Sequence, residues 1–313
     1  MVPRGDSVVV TGGAGFIGSH LVDRLLDDAH AQVVVLDDLS RGTPDNLSRH
    51  AGDPRLTIVR GDIADAAAVA NAFRGAGTVY HLAALSTVMG AARDVARAFR
   101  TNVLGTFNVL RAATAEGVRR VVFASSREVY GEPLAIPVQE DHPLLAINTY
   151  GASKVSGEAL CRSFRRELGL ETIVLRLANV YGPRDIGRVI PLWLQRARDG
   201  AELEVFGGKQ VIDFVWVGHV VEAFLRAARL DGSLPPINVA SGTGTTLVDL
   251  ASRIAQLTSA STRLQLRPAR SIEVTKYIAA IDRQRELLEI EPDLDPLEHL
   301  GEVAAVARTP LRV

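Results

Sequence analysis

The stretch VVVTGGAGFIGSHLVDRLL, residues 8–26, joins an apolar run to a glycine cluster and then to an amphipathic helical pattern. The run Ser7–Thr11 is mostly valine, as a strand buried on both faces requires. Gly12, Gly15 and Gly18 follow at three-residue spacing. In a strand–turn–helix of this kind the first glycine permits the tight turn. The second lets a pyrophosphate approach the backbone, and the third lets the helix pack closely on the strand. Phe16 and Ile17 open the helix, where N–H groups without intrahelical acceptors face the phosphates.

Working outward, the same alternation repeats. Further strands are expected at Gln32–Leu36, Leu56–Arg60, Thr78–Leu82, Arg120–Ala124 and Thr172–Leu177, with helices near 15–28, 65–74, 93–115 and 150–168. Strand–helix alternation with near-continuous apolar strands predicts an α/β fold, a doubly wound parallel sheet of the Rossmann kind. The second strand ends at Asp37, 19 residues beyond Gly18, where a carboxylate accepts both hydroxyls of an adenosine ribose. Asp37 and Asp38 together would repel a 2′-phosphate, so NAD is the expected cofactor; Arg41 just beyond leaves NADP open. Asp62 and Ile63 follow the third strand and are placed beside the adenine, unless Asp37 and Asp62 only solvate strand ends.

Past residue 180 proline and glycine punctuate the chain. Helices are expected near 188–198, 218–229, 246–257 and 296–306, and short strands at 203–206, 211–215, 236–240 and 263–267. This predicts a dinucleotide-binding domain over 1–178, to which the chain returns near 211–242. A smaller α/β substrate lobe takes most of 179–313.

Net charge is −1, which gives no bulk attraction to nucleic acid or to an anionic membrane. Cys161 is the only cysteine, so neither a disulfide framework nor a thiolate metal site is expected, and it reads as a small core residue. No apolar run reaches membrane-spanning length and no signal peptide is visible, which makes a cytoplasmic enzyme the expectation.

The segment NTYGASKVSGEAL places Tyr150 and Lys154 at i and i+4, on one helical face. A phenol is a poor base near neutrality. A neighbouring ammonium favours phenolate, which could then take a proton from a sugar hydroxyl while carbon gives hydride to a nicotinamide. An exposed tyrosine and lysine on a surface helix is the plain alternative. Only three lysines occur in the chain, Lys154, Lys209 and Lys276, which weighs against coincidence.

Taken together, TGGAGFIGSH, LDDLS, GDI, HLAAL, TNVLGT, SSREVYG, YGASK, LRLANVYGPR and RPAR resemble the extended short-chain dehydrogenase/reductase family of nucleotide-sugar epimerases, dehydratases and decarboxylases. The resemblance implies that Ser126 bonds the sugar O4 and that Tyr150 and Lys154 are the catalytic pair. It implies that His81, Ala83 and Ala84 line the cofactor with Asn102 behind them. Ser86, Asn179, Arg188, Val189 and Arg270 would meet the nucleotide sugar, Arg270 gripping its diphosphate. By chemistry alone His81 and Asn102 are equally well read as structural residues, and Trp193 and Trp216 as core. Ile212-Asp213-Phe214 departs from the family's Arg-Asp-Phe. A homodimer is also implied, through the stripes Phe99, Val103, Phe107, Leu110 and Leu160, Phe164, Leu168.

SSREVYG, residues 125–131, bears on the reaction. Relatives that dehydrate the sugar often carry Asp-Glu at 127 and 128; here Arg127 stands before Glu128. Guanidinium stays protonated and cannot serve as a general acid. Glu128 resembles the glutamate of UDP-glucuronate decarboxylases, and Arg127 could pair with a uronate carboxylate. It could equally pair locally with Glu132 or Glu140. The leading expectation is decarboxylation of UDP-glucuronate to a UDP-4-keto-pentose or UDP-xylose. Behind it stand 4-epimerisation of a UDP-hexose or UDP-uronate, 4,6-dehydration, and a dinucleotide-binding regulator without turnover.

Overall fold

The computed structural model describes residues 7–27, 32–232, 234–258, 263–269 and 274–306. The first half supplies β1 (Ser7–Thr11), α1 (Phe16–Asp27), β2 (Gln32–Asp37), β3 (Leu56–Arg60), α2 (Ala66–Ala72) and β4 (Ala76–His81). It continues with α3 (Val88–Arg93), α4 (Val95–Phe99), α5 (Thr106–Ala115), β5 (Arg120–Ser126), α6 (Thr149–Leu168) and β6 (Glu171–Leu177). The second half holds β7 (Asn179–Tyr181), α7 (Val189–Arg198), β8 (Leu203–Phe206), β9 (Val211–Trp216), α8 (Val217–Ala227) and β10 (Ile237–Val239). It closes with β11 (Gly244–Thr246), α9 (Leu247–Thr258), β12 (Leu264–Arg267), α10 (Asp282–Leu288) and α11 (Leu300–Val306).

Seven strands form one parallel sheet in the order β10-β6-β5-β4-β1-β2-β3. The order reverses between β1 and β4, and a crevice opens at such a switch point beyond the C-terminal strand ends. Alternate residues feed two cores. Val10, Val35 and Val122 pack on one face, with Val220 and Phe224 of α8. Val9, Val79, Val121 and Phe123 pack on the other, with Val109 and Leu110 of α5. Each such side chain contributes about 1.5–3 kcal/mol by leaving water. A third core joins Trp193 and Leu194 of α7, Phe214 of β9, and Leu250 and Ile254 of α9. Around it stand two small sheets, β11-β9-β7 and β12-β8.

The expected helix over 93–115 is instead broken. Asp94 caps α4 by accepting from the Arg97 N–H at 2.9 Å, and Arg100–Gly105 is a π-helical turn before α5. A short acidic side chain that competes for backbone N–H groups favours a cap over a helix interior. Trp193 and Cys161 are buried in the core and Trp216 packs against it. The expected apolar stripes divide. Leu110 is fully buried and Phe164 nearly so, whereas Phe99 and Leu168 are 62% and 55% exposed.

Candidate active site

A cleft of ≈ 980 Å³ runs over the C-terminal ends of β1, β4 and β5 and is bordered on its other side by β7 and α7. At one end lies the glycine turn. A methyl group at Gly18 would come within 2.2 Å of the Gly12 carbonyl oxygen, so only glycine lets α1 start this close to β1. Gly15, Phe16, Ile17 and Gly18 all line the cleft, and the N–H groups of a first helical turn have no intrahelical acceptor. Asp37 is buried, its two oxygens accepting from Ala14 N at 3.0 Å and Leu39 N at 2.9 Å. A carboxylate has about four lone-pair sites, so both oxygens keep capacity for a diol. Burial raises the Asp37 carboxyl above the ordinary range, against the two backbone N–H groups that lower it. These residues fit an adenosine dinucleotide. Gly18→Ala should therefore weaken NAD binding ~tenfold or more, because the helix must back away from the phosphates; titration calorimetry returning an affinity within twofold of the parent would overturn this.

Asp38 is exposed and lies 3.8 Å from Arg97. Arg41 does not turn toward Asp38: its Nη2 donates across the cleft to the Ile186 carbonyl at 3.2 Å. Asp62 and Ile63 border the cleft, Asp62 receiving Ala64 N at 2.8 Å and Arg100 at 3.3 Å. Ala83, Ala84 and Ser86 line it as well.

Two of the expected cofactor residues, His81 and Asn102, stand back from the cleft wall. His81 does not line the cleft. Its Nδ1 lies 2.7 Å from Thr11 Oγ1 and its Nε2 3.0 Å from Thr106 Oγ1, and burial pushes its pKa down to about 3. It is a satisfied, neutral core histidine. Asn102 is likewise buried, accepting from Leu85 N at 2.8 Å and donating to Ser153 Oγ at 2.9 Å. It stands behind the cleft wall, where it was expected, and fixes the loop that carries Ala84 and Ser86.

At the middle stand Ser126, Tyr150 and Lys154, all on the cleft wall. Asn148 caps α6, accepting from Gly151 N at 2.8 Å. A methyl group at Gly151 would come within 2.3 Å of the Glu128 carbonyl oxygen, so glycine allows the start of α6 to press on the turn after β5. That contact brings Tyr150 to hydrogen-bonding reach of Ser126. Lys154 donates to the Ala124 carbonyl at 2.7 Å, and its Nζ is 5.8 Å from the Tyr150 ring.

The expected electrostatics are corrected here. Tyr150 opens partly onto the cleft, yet burial raises its phenol to about 12. Against that, the charge of Arg188 lowers it most, followed by the bond with Ser126; Glu128 raises it and Arg127 lowers it. Burial also brings Lys154 down to about 8, with Cys161 and Glu158 opposing.

Arg127 pairs locally, but with neither Glu132 nor Glu140. Its Nη2 lies 2.9 Å from Oε1 of Glu128, the residue next to it. Glu132 instead accepts from Thr275 N at 2.8 Å, and Glu140 from Asn238 N at 3.0 Å. Asn148 Nδ2 donates to the other Glu128 oxygen at 2.7 Å. Sequence reading passed over Asn148; its signal was a capping residue just before a helix that carries the chemistry.

At the far end, Asn179, Arg188, Val189 and Ile212 border the cleft. The side-chain oxygen of Asn179 is buried and has no partner, as a residue awaiting a polar ligand would be. Arg188 donates to Asp185 Oδ1 at 2.6 Å, and Arg184 pairs with Asp23 at 2.8 Å. Asp185, also passed over in the sequence, is 7% exposed and its Oδ2 is unpartnered. Arg270 lies outside the described residues. Among the described residues no group of His, Cys, Asp or Glu could hold a metal ion, and no helix is long and apolar enough to cross a membrane.

Comparison with known proteins places this geometry among others of its kind. Residues 8–240 match the model of the NAD dependent epimerase/dehydratase family. The chain is 35% identical over 308 residues to the UDP-glucose 4-epimerase of Mycolicibacterium smegmatis, covering 96% of this chain and 98% of that protein. It is 32% identical over 302 residues to UDP-glucuronic acid decarboxylase 6 of Arabidopsis thaliana, covering 94% and 86%. The crystal structure of a Thermotoga maritima UDP-glucose 4-epimerase with UDP-glucose superposes with a TM-score of 0.91 at 34% identity, covering 96% and 98%.

Proposed function

The chain belongs to the NAD-dependent epimerase/dehydratase family, and we propose that it inverts C4 of a UDP-sugar through a 4-keto intermediate. The observation that carries this reading is the meeting of Ser126, Tyr150 and Lys154 on the wall of one cleft that runs from Asp37 to Asn179. NAD held by the glycine turn and Asp37 would supply a reversible hydride acceptor for C4. Tyr150, as the phenolate that Arg188 and Ser126 favour against burial, takes the O4 proton as the carbonyl forms and gives it back as the alcohol is restored. Ser126 bonds O4 and fixes it against the phenol. Lys154, tied to Ala124, keeps α6 in register with β5.

Epimerisation is placed ahead of decarboxylation because of Arg127. Its charge is already balanced by Glu128, and Glu128 is in turn held by Asn148. A uronate carboxylate at this point would meet a neutral pair, whereas the sequence alone left both a free cation and a local pair open. Decarboxylation remains the second reading, supported by the Arabidopsis relative and by Glu128 at the cleft wall. The exposed Phe99 and Leu168, on neighbouring segments, support pairing of two copies.

The test is a panel of UDP-glucose, UDP-galactose and UDP-glucuronate incubated with the NAD-loaded protein, with products resolved by mass and by proton NMR. UDP-glucose and UDP-galactose should interconvert at constant mass. Release of carbon dioxide from UDP-glucuronate, with no C4 inversion of any hexose, would replace the first reading by the second.

A further inference from the structure

The chain between β7 and α7, residues 182–188, is fastened at four points to α1 and to the stretch after β2. The Pro183 carbonyl lies 2.9 Å from His20 Nε2, and Arg184 meets Asp23 at 2.8 Å. The Ile186 carbonyl accepts from Arg41 at 3.2 Å, and Arg188 rests over the Phe16 ring, 5.6 Å from its centroid. Phe16 opens the helix that faces the expected phosphates, and Arg41 stands four residues beyond Asp37, which fits the ribose. Residues 184–188 all border the cleft, so the segment crosses it where the dinucleotide fits. Asp185 braces the segment from within by its 2.6 Å bond to Arg188. Gly187 has left-handed backbone, φ 74°, with open space beside it, which gives the segment a place to turn.

Asp23 holds the crossing in place. Its Oδ2 takes Arg184, and its Oδ1 lies 3.0 Å from Nε2 of His50, at the end of the turn Pro44–His50 that follows Arg41. One carboxylate thus ties the crossing segment, α1 and the stretch that carries Arg41 into one unit. Its side chain is 10% exposed, so salt and water screen these contacts little. Neither Asp23 nor His50 borders the cleft. We propose that segment 182–188 is a bar across the bound dinucleotide, and that Asp23, from outside the cleft, sets how fast NAD enters and leaves. The ties join the protein to itself and must part for passage in either direction. Loosening them therefore speeds entry and exit alike and leaves affinity nearly unchanged. The proposal needs NAD to bind in this cleft but not any particular sugar reaction.

The test is stopped-flow fluorescence of NADH with the parent, Asp23→Ala, Asp23→Asn and Arg24→Ala. Entry is followed on mixing NADH with the NAD-free protein, and exit on chasing the NADH complex with excess NAD. Asp23→Ala should raise both rates about tenfold, the worth of one charge-assisted bond, with Kd within about threefold of the parent. Asp23→Asn keeps the shape and loses the charge. It should move both rates the same way by less, and it carries the test if Asp23→Ala fails to fold. Arg24→Ala cuts an exposed pair with Glu222 on the same helix and should leave both rates as they are. Rates within about twofold of the parent in both Asp23 variants would overturn the proposal. So would faster exit with entry unchanged, the mark of a site that is merely distorted.

Discussion

Tyr150→Phe should lower kcat by about 10³-fold while leaving NAD affinity and thermal stability near the parent values, since general acid–base catalysis contributes roughly 10²–10⁴. The ring packing survives the change, and only the hydroxyl that meets Ser126 is removed. No other described side chain at the cleft centre can take its place. Ser126 is an alcohol without a base beside it, Glu128 is held by Arg127 and Asn148, and the ammonium of Lys154 is engaged by the Ala124 carbonyl. Steady-state kinetics with UDP-glucose, alongside circular dichroism and NAD titration, would measure the effect. A loss smaller than tenfold would mean that the proton moves through another group.

Glu158→Ala should destabilise the fold by about 3–5 kcal/mol, the usual cost of leaving one partner of a buried pair uncompensated. Glu158 takes Arg176 Nε at 3.0 Å and Nη2 at 2.7 Å, and Ser125 Oγ at 2.5 Å. Both side chains of the pair are about 5–6% exposed. Arg176 also donates to Tyr130 at 2.9 Å and to the Glu140 carbonyl at 2.8 Å, so its stranded charge would disturb a whole network. Urea denaturation would give the cost. The double change Glu158→Ala with Arg176→Met should recover a good part of it, since apolar replacement of both partners is often tolerated. A single-variant loss below about 1 kcal/mol would show that water reaches Arg176 and that the pair is not closed off.

How legible the sequence is depends on what each residue answers to. The parallel sheet could be read because valine-rich strands buried on both faces leave an almost unbroken apolar trace, and Gly18 leaves a signature because backbone meets backbone there. β7 and β11 could not, since three residues carry no period. α10, DRQRELL, is polar along most of its length and buries chiefly Gln284 and Leu288. His81 was open to a stricter reading. It stands two residues beyond Val79 on one strand and so shares Val79's face, toward α5 and Thr106, which is away from the cleft. The spacing of Tyr150 and Lys154 gives their common location but not their energetics. Which of burial or charge prevails depends on residues far away in sequence, Arg188 above all, and helical period says nothing of those. The pairing of Arg127 with its own neighbour was hidden for a similar reason: i, i+1 side chains diverge on a regular helix, and only the short turn after β5 lets them meet.

β10 enters the large sheet beside β6, and it does so after the chain has already built β7, α7, β8, β9 and α8. One scission near residue 178 therefore cannot yield a free-standing N-terminal half. Such a fragment would keep six strands but bare the outer edge of β6, whose residues from Thr172 to Leu177 are all buried in the intact protein. An uncovered, apolar margin of that kind invites edge-to-edge self-association. Trimming or grafting of this protein has to carry residues 237–239 along with the portion they complete.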